Sequence, residues 1–454
     1  MEEIGELHLV MFPWLAFGHM IPYLDLSKLL AQKGHKISFV STPRNIDRLP
    51  NLSSLIQFVK LPLPHVDNLP DNAECTIDLP IDQVKYLKIA FDGLEEALVK
   101  FLQDSSPDWV IHDFAPYWLA PTASKLNIST AHFSAFAPPA LGFLGPIQEL
   151  KGVDMVRTKP EDCTVKPKWV TFESSVAFRL YEILQVFDHT MVEVDDNVSD
   201  IFRTGVVLEN VDLVIVRGCS DFEPEWLKLF EELYKKPVIP VGQLSPSTFD
   251  SDDGNSAKDD AWKESKDWLD RQTRGSVVFV GFGSEVKLTQ DQLSAIALGI
   301  ELSGLPFFFV LKTRRGETDD EGIELPKGFQ EQTKDRGVVF TSWAPQLKIL
   351  SHDSVGGYFF HSGWGSVVEA VQFEKPLILL TFVADQGLNA RVLEETKMGY
   401  SIPRNEVDGS FTSDAWQVYR DKIKEIKDIF CDSAKQDFYL DNLLQHLQAH
   451  KRNN

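Results

Sequence analysis

Apolar runs of strand length alternate with stretches of helical spacing along most of the chain. Leu7–Phe12 reads as a buried strand and Lys36–Ser41 as a second. Between them Leu24, Leu26, Leu29 and Leu30 follow helical spacing, which predicts a helix over Ile21–Gln32 closed by Gly34. Trp109–Ile111 and Leu213–Val216 are further short apolar runs. Strands that alternate with helices predict a parallel sheet covered on both faces.

The pattern breaks near Leu244. Ser245–Asp260 is rich in Asp, Ser and Gly with almost no apolar residues, and reads as a linker or surface loop. A second strand series follows: Ser276–Val280, Phe307–Leu311, Val338–Thr341, Gly357–Phe360 and Leu377–Leu380. Single cores stop growing at roughly 250–300 residues, and this chain has 454. Two doubly wound α/β domains are therefore expected, over residues 1–242 and 261–432, joined by an acidic linker at 243–260. Ligands of such domains bind at the carboxyl ends of the strands. The amphipathic stretch Phe438–His450 predicts that segment 433–454 is a helix packing back on the first domain.

Charge narrows the partners. Lys plus Arg number 45 against 67 Asp plus Glu, a formal net charge of −22, which repels nucleic acid and anionic membrane surfaces alike. An anionic ligand must then be met locally, by backbone N–H groups and a helix terminus. Cys75, Cys163, Cys219 and Cys431 lie far apart, with no C-x-x-C spacing, so neither a disulfide framework nor a zinc site is expected. The opening MEEIGELHLVMF lacks a basic n-region, and no run approaches the roughly 20 apolar residues of a spanning helix. A cytoplasmic, monomeric chain without membrane insertion is the expectation.

The densest chemistry lies in WAPQLKILSHDSVGGYFFHSGWGSVVEAVQFEKPLILLTFVADQ, the 44 positions from Trp343 to Gln386. W-x-P-Q at its start, H-x-G-W-x-S-x-x-E in its middle and D-Q at its end resemble the signature box of plant family-1 UDP-glycosyltransferases. That resemblance implies a GT-B fold, two Rossmann-like domains facing each other across a cleft, the first taking the acceptor and the second the UDP-sugar. It also implies donor-binding roles for Trp343, Ala344, Gln346, His361, Trp364, Gly365, Ser366, Glu369, Asp385 and Gln386. Trp343 offers a flat π-face for uracil to stack on. His361 falls between a strand and a helix, where N–H groups and the dipole attract diphosphate, with Ser366 beside it. Glu369, one turn further, takes the ribose hydroxyls, and Asp385 and Gln386 hydrogen-bond the donor sugar. Gly281-Phe282-Gly283-Ser284 follows a strand and lets backbone, at Gly283 and Ser284, approach phosphate closely. It is not a G-x-G-x-x-G loop, because Val286 holds the third position.

Catalysis is expected from the other domain. Gly18-His19 closes the loop after the first strand and opens a helix near Met20, where the dipole disfavours imidazolium. Asp113, in PDWVIHDFAP, stands just past a neighbouring strand. In the family, residues at these two positions act as base and orienter, so His19 deprotonates the acceptor hydroxyl, Asp113 fixes its tautomer, and inversion follows. His112 is a weaker base, since strand alternation points it away. No cofactor and no metal are expected: Asp250-Ser251-Asp252 matches the D-x-D pattern but reads as solvated loop.

FPWLAFGHMIPYLDLSKLLAQKGHKISFVSTPRNI, ELSGLPFFF and IPRNEVDGSFT resemble the branch-forming group of the family, which adds sugar to the sugar of a small-molecule glycoside such as a flavonoid, terpenoid or steviol glycoside. Trp14, Phe17, Phe114, Tyr117, Trp118, Phe133 and Phe136 are candidates for an acceptor pocket, with ordinary core the competing reading. Three positions depart from the family: Ser362 where Cys is common, Gly365 where Asn is usual, and a short stretch between Ser413 and Tyr419. Losing the Asn side-chain contact costs on the order of 1 kcal/mol. Two other classes compete. A non-catalytic binder would lack the His19–Asp113 pair, and an NAD-dependent oxidoreductase would need a glycine fingerprint after the first strand.

Overall fold

The structure, a computed structural model, describes residues 5–50, 52–187, 198–246, 256–312, 322–341, 344–406, 408–411, 430 and 432–452. Trp343 and the stretches 250–252 and 413–419 lie outside these residues. Two compact units form, each around its own parallel sheet. The first comprises Met1–Ser174, Val186–Leu244 and Cys431–Asn454, and the second Ser175–Gln185 and Ser245–Phe430. The expected first domain is thus interrupted at 175–185, because that segment packs on side chains of the second unit. The acidic stretch also differs from expectation: a helix already begins at Ser256, so the linker reading does not hold to residue 260.

In the first unit the strands are β1 (His8–Phe12), β2 (Lys36–Ser41), β3 (Ile56–Lys60), β4 (Trp109–His112), β5 (Ser129–Ser134), β6 (Leu213–Val216) and β7 (Val238–Pro240). Their order is β3-β2-β1-β4-β5-β6-β7, every pairing parallel, with Phe12 beside His112. Both faces are covered, so β4 and β5 are buried at every position rather than alternating. Leu9, Met11, Phe39, Trp109 and Phe133 fill one face; Val10, Phe12, Val40 and Val110 fill the other. The helix Ser433–His450 packs on the first face through Leu440, Leu443, Leu444 and Leu447. Trp109 Nε1 donates to the Leu447 carbonyl at 2.9 Å, closing that contact with a buried bond.

The second unit holds β8 (Val277–Gly281), β9 (Phe307–Val310), β10 (Gly337–Phe340), β11 (Val355–Phe360), β12 (Leu377–Leu379) and β13 (Gly399–Ser401). Their order, β10-β9-β8-β11-β12-β13, is again wholly parallel. Phenylalanine supplies much of this core, with Phe282, Phe307, Phe309, Phe329 and Phe359 in one cluster. Among the described residues no helix is long and apolar enough to cross a membrane, and Cys75, Cys163 and Cys219 are buried.

Candidate active site

Strand order reverses at β1 in the first sheet and at β8 in the second. Loops leaving the two strands at such a point diverge to opposite faces and open a crevice at their carboxyl ends. Four of the sequence candidates leave these strands: His19 after β1, Asp113 after β4, Gly283 after β8 and His361 after β11.

The helix after β1 spans Phe17–Gln32, starting earlier than the leucine spacing predicts. Phe17 packs against the core and Gly18 accepts helical backbone, so one more turn forms. The Ala16 carbonyl accepts from the amides of His19 and Met20, which places His19 inside the first turn. Its Nδ1 donates to Asp113 Oδ2 at 2.7 Å. Asp113 is 1% exposed, and its carboxylate also accepts from the amides of Trp14 at 3.1 Å and Phe114 at 2.8 Å. Burial opposes ionisation of Asp113, but the attraction and hydrogen bond of His19 outweigh it, and the carboxyl stays below its ordinary pKa. With Nδ1 donating, the neutral imidazole carries its lone pair on Nε2. A base held in one tautomer by a buried carboxylate is the result.

His112 is fully buried, and its Nδ1 donates to the Asp113 carbonyl at 2.9 Å. Burial pushes it down to about 4, so it stays neutral and structural. His132 Nδ1 in turn donates to the His112 carbonyl at 3.2 Å.

The aromatic candidates divide. Phe114 and Phe136 stand beside His19, with ring centroids 5.7 and 5.2 Å from the imidazole. Phe133 does not line a pocket: it is 0% exposed in the core, because β5 is covered on both faces. Trp14 is likewise buried, edge-on to Phe91 at 5.2 Å. Phe17 packs on the core, Tyr117 lies under the Arg203 guanidinium, and Trp118 donates to Asp92.

In the second unit, His361 is held between two glycines. A Cβ on Gly283 would come within 2.6 Å of the ring, and one on Gly363 within 2.4 Å. Gly283 also has φ +72°, a second reason for glycine. Burial and the charge of Lys312 push His361 down to about 4, so its imidazole is neutral, and Nδ1 has no partner among the described residues. Lys312, at the end of β9, donates to the Ser284 carbonyl at 3.0 Å and brings a cation to this turn. Sequence reasoning missed it, since Lys312-Thr313-Arg314-Arg315 reads as solvated charge.

Ser362 turns the chain from β11 into the helix Trp364–Gln372 at φ +68°, a strained value for a residue with a side chain. Asn389 Nδ2 donates to its carbonyl at 3.1 Å and secures the turn. Trp364, at the start of this helix, is 4% exposed against Phe430, so its ring is core. Gly365 is exposed in the same first turn.

Gln346 is the hub of a polar network. Tyr358, fully buried, donates its hydroxyl to Gln346 Oε1 at 3.1 Å. Gln346 Nε2 donates to Ser366 Oγ at 3.2 Å and to the Glu369 carboxylate. Ala344 lies two residues before the helix Gln346–Ser351 and is half-buried. Further on, Asp385 Oδ2 accepts from Asn389 at 2.9 Å. Gln386 is partly engaged within its own turn: its Oε1 accepts from the amides of Phe382 at 2.8 Å and Val383 at 3.1 Å, so a sugar hydroxyl would meet its Nε2. Among the described residues no group of His, Cys, Asp and Glu could hold a metal ion.

Comparison with known proteins follows the same lines. Residues 228–413 match the family model described as UDP-glucoronosyl and UDP-glucosyl transferase. UDP-glycosyltransferase 91A1 of Arabidopsis thaliana is 51% identical over 98% of this chain and 97% of its own. Soyasaponin III rhamnosyltransferase of Glycine max is 39% identical over 98% of this chain and 96% of its own. The crystal structure of Arabidopsis thaliana UGT89C1 with UDP-L-rhamnose superposes with a TM-score of 0.72 at 22% identity, covering 98% of this chain and all of that one.

Proposed function

Since the chain belongs to the plant family-1 UDP-glycosyltransferases, enzymes of GT-B fold, we propose that it adds a sugar, glucose foremost, to a hydroxyl of a terpenoid or flavonoid glycoside. The hydroxyl attacked belongs to the sugar that acceptor already carries. The observation that carries the chemistry is the 2.7 Å bond from His19 to buried Asp113 at the strand-order reversal.

In this reading Nε2 of His19 takes the acceptor proton while the acceptor oxygen bonds to the anomeric carbon. The bond from that carbon to UDP breaks, its electron pair leaving with the diphosphate. Attack from the face opposite UDP turns an α-linked donor into a β-glycoside. Asp113 stabilises the imidazolium that forms. Charge growing on the diphosphate is met by the amides opening the helix Trp364–Gln372, by neutral His361 and by Lys312, without a metal. Glu369, held by Gln346, takes the ribose hydroxyls, and Asp385 with Gln386 Nε2 takes the sugar.

UDP-rhamnose is the second donor to consider, favoured by the likeness to a rhamnosyltransferase and to a structure holding UDP-L-rhamnose. A mass-resolved turnover screen decides. Purified protein meets UDP-glucose, UDP-rhamnose and UDP-xylose, each against aglycones and their monoglucosides. Added mass on monoglucosides alone supports branch formation and identifies the donor. Transfer to aglycones alone overturns the acceptor reading, and UDP binding without any product favours a binder.

A further inference from the structure

Glu182 stands far upstream of the 343–386 block, on the short helix Leu180–Ile183, yet belongs to the second unit. We propose that Glu182 is a positioning residue for the donor sugar, fixing the 381–386 turn that presents Asp385 and Gln386. This rests on the donor-sugar role given to that turn under Proposed function.

The carboxylate is 6% exposed and reaches three parts of the unit. Its Oε1 accepts from the Thr381 hydroxyl at 2.7 Å. Its Oε2 accepts from the Arg179 amide at 2.9 Å and faces Arg391 Nη1 at 3.8 Å. The backbone of Gly387 lies against the same oxygen, so close that a Cβ there would come within 2.4 Å of it. Thr381, at the exit of β12, is held at its other end as well: Arg404 donates to its carbonyl while stacking over the Tyr181 ring, 4.4 Å from its centroid. The dipeptide Tyr181-Glu182 therefore grips the first residue of the turn from outside. Gln386 ties the turn from inside through the Phe382 and Val383 amides.

A buried carboxylate is a costly way to fill space, and an apolar side chain would pack there at less expense of desolvation. What the charge adds is direction: a charge-assisted bond holds the Thr381 hydroxyl, and the same carboxylate faces the Arg391 guanidinium in the helix Gln386–Glu395. The sugar contacts sit on that turn, whereas the diphosphate and ribose contacts sit on the turns after β8 and β11. Loosening Glu182 should weaken the grip on the sugar and spare UDP.

Calorimetry with the full chain tests this, using UDP and UDP-glucose on the wild type, Glu182→Ala, Thr381→Val and Thr381→Ser. The ratio of the UDP-glucose Kd to the UDP Kd should rise about tenfold in Glu182→Ala and Thr381→Val. Thr381→Ser keeps the hydroxyl and should keep the wild-type ratio. If Glu182→Ala fails to fold, the two Thr381 variants decide alone. An unchanged ratio in Thr381→Val, or equal weakening of both ligands, overturns the positioning role while leaving the enzyme reading intact. A wild type that binds neither ligand overturns both.

Discussion

Gly283 and His361 are packed so closely that a Cβ at residue 283 would lie 2.6 Å from Cε1 of the imidazole. The glycine therefore clears a seat for a side chain of the neighbouring strand end as well as making a turn. Gly283→Ala must displace the ring and adopt a φ of +72° unfavourable to alanine. UDP affinity, measured by calorimetry, should fall about tenfold or more. An unchanged Kd would remove His361 from the binding role.

His19→Ala should abolish transfer and leave the UDP Kd within about twofold of wild type, because the donor contacts are carried by other turns. Asp113→Asn keeps the shape but presents the wrong hydrogen-bonding partner to Nδ1, and kcat should drop by about 100-fold or more. Single-turnover assays beside UDP titrations separate the two effects. Full turnover in His19→Ala would eliminate it as the base.

Stability should carry a signature from Glu223, a carboxyl 2% exposed that accepts from the Cys219 amide at 3.0 Å and Gln243 Nε2 at 3.2 Å. Burial pushes its pKa up from 4.5 to about 8, the two hydrogen bonds only partly opposing this. Between those values the folded chain holds a proton that the unfolded chain releases. The contribution is thus fully present below the unfolded pKa and is lost as pH rises through about 8. Glu223→Gln cannot ionise, so thermal melts from about pH 5 to pH 9 should fall less steeply than those of wild type. Parallel curves would refute the assignment.

Leu443, 0% exposed, is in the core of the first unit, packed with Leu440, Leu444 and Leu447. Leu443→Ala should cost about 2–5 kcal/mol in denaturant unfolding. The UDP Kd of the folded fraction should stay that of wild type, since none of the donor residues belongs to this unit.

Much of this architecture is legible in the amino-acid sequence. Apolar runs mark the strands around both sheet reversals, and the three-residue spacing of the candidates Ser366 and Glu369 places both on the helix that follows His361. Three features are not legible there. Phe133 and Phe114 are both buried aromatic residues near strand ends, yet only Phe114 stands beside His19; composition cannot tell which buried ring borders the site. Gln386 is expected to face a sugar, but its carbonyl satisfies two backbone amides of its own turn, a local geometry that no motif spells out. Glu182 meets Thr381 across 199 positions of chain, a pairing set by packing alone.

The first unit takes its final core residues from the last helix of the chain, after the whole of 245–430 has been built into the other unit. During synthesis the seven-stranded sheet can assemble early, but the face that receives Leu440, Leu443, Leu444 and Leu447 must wait, apolar and uncovered, until the helix Ser433–His450 has been made. Completion of the first unit is thereby tied to a segment that lies beyond the whole of the second unit in the chain. A chain cut short before Ser433 leaves an open apolar face that chaperones and proteases read as unfinished.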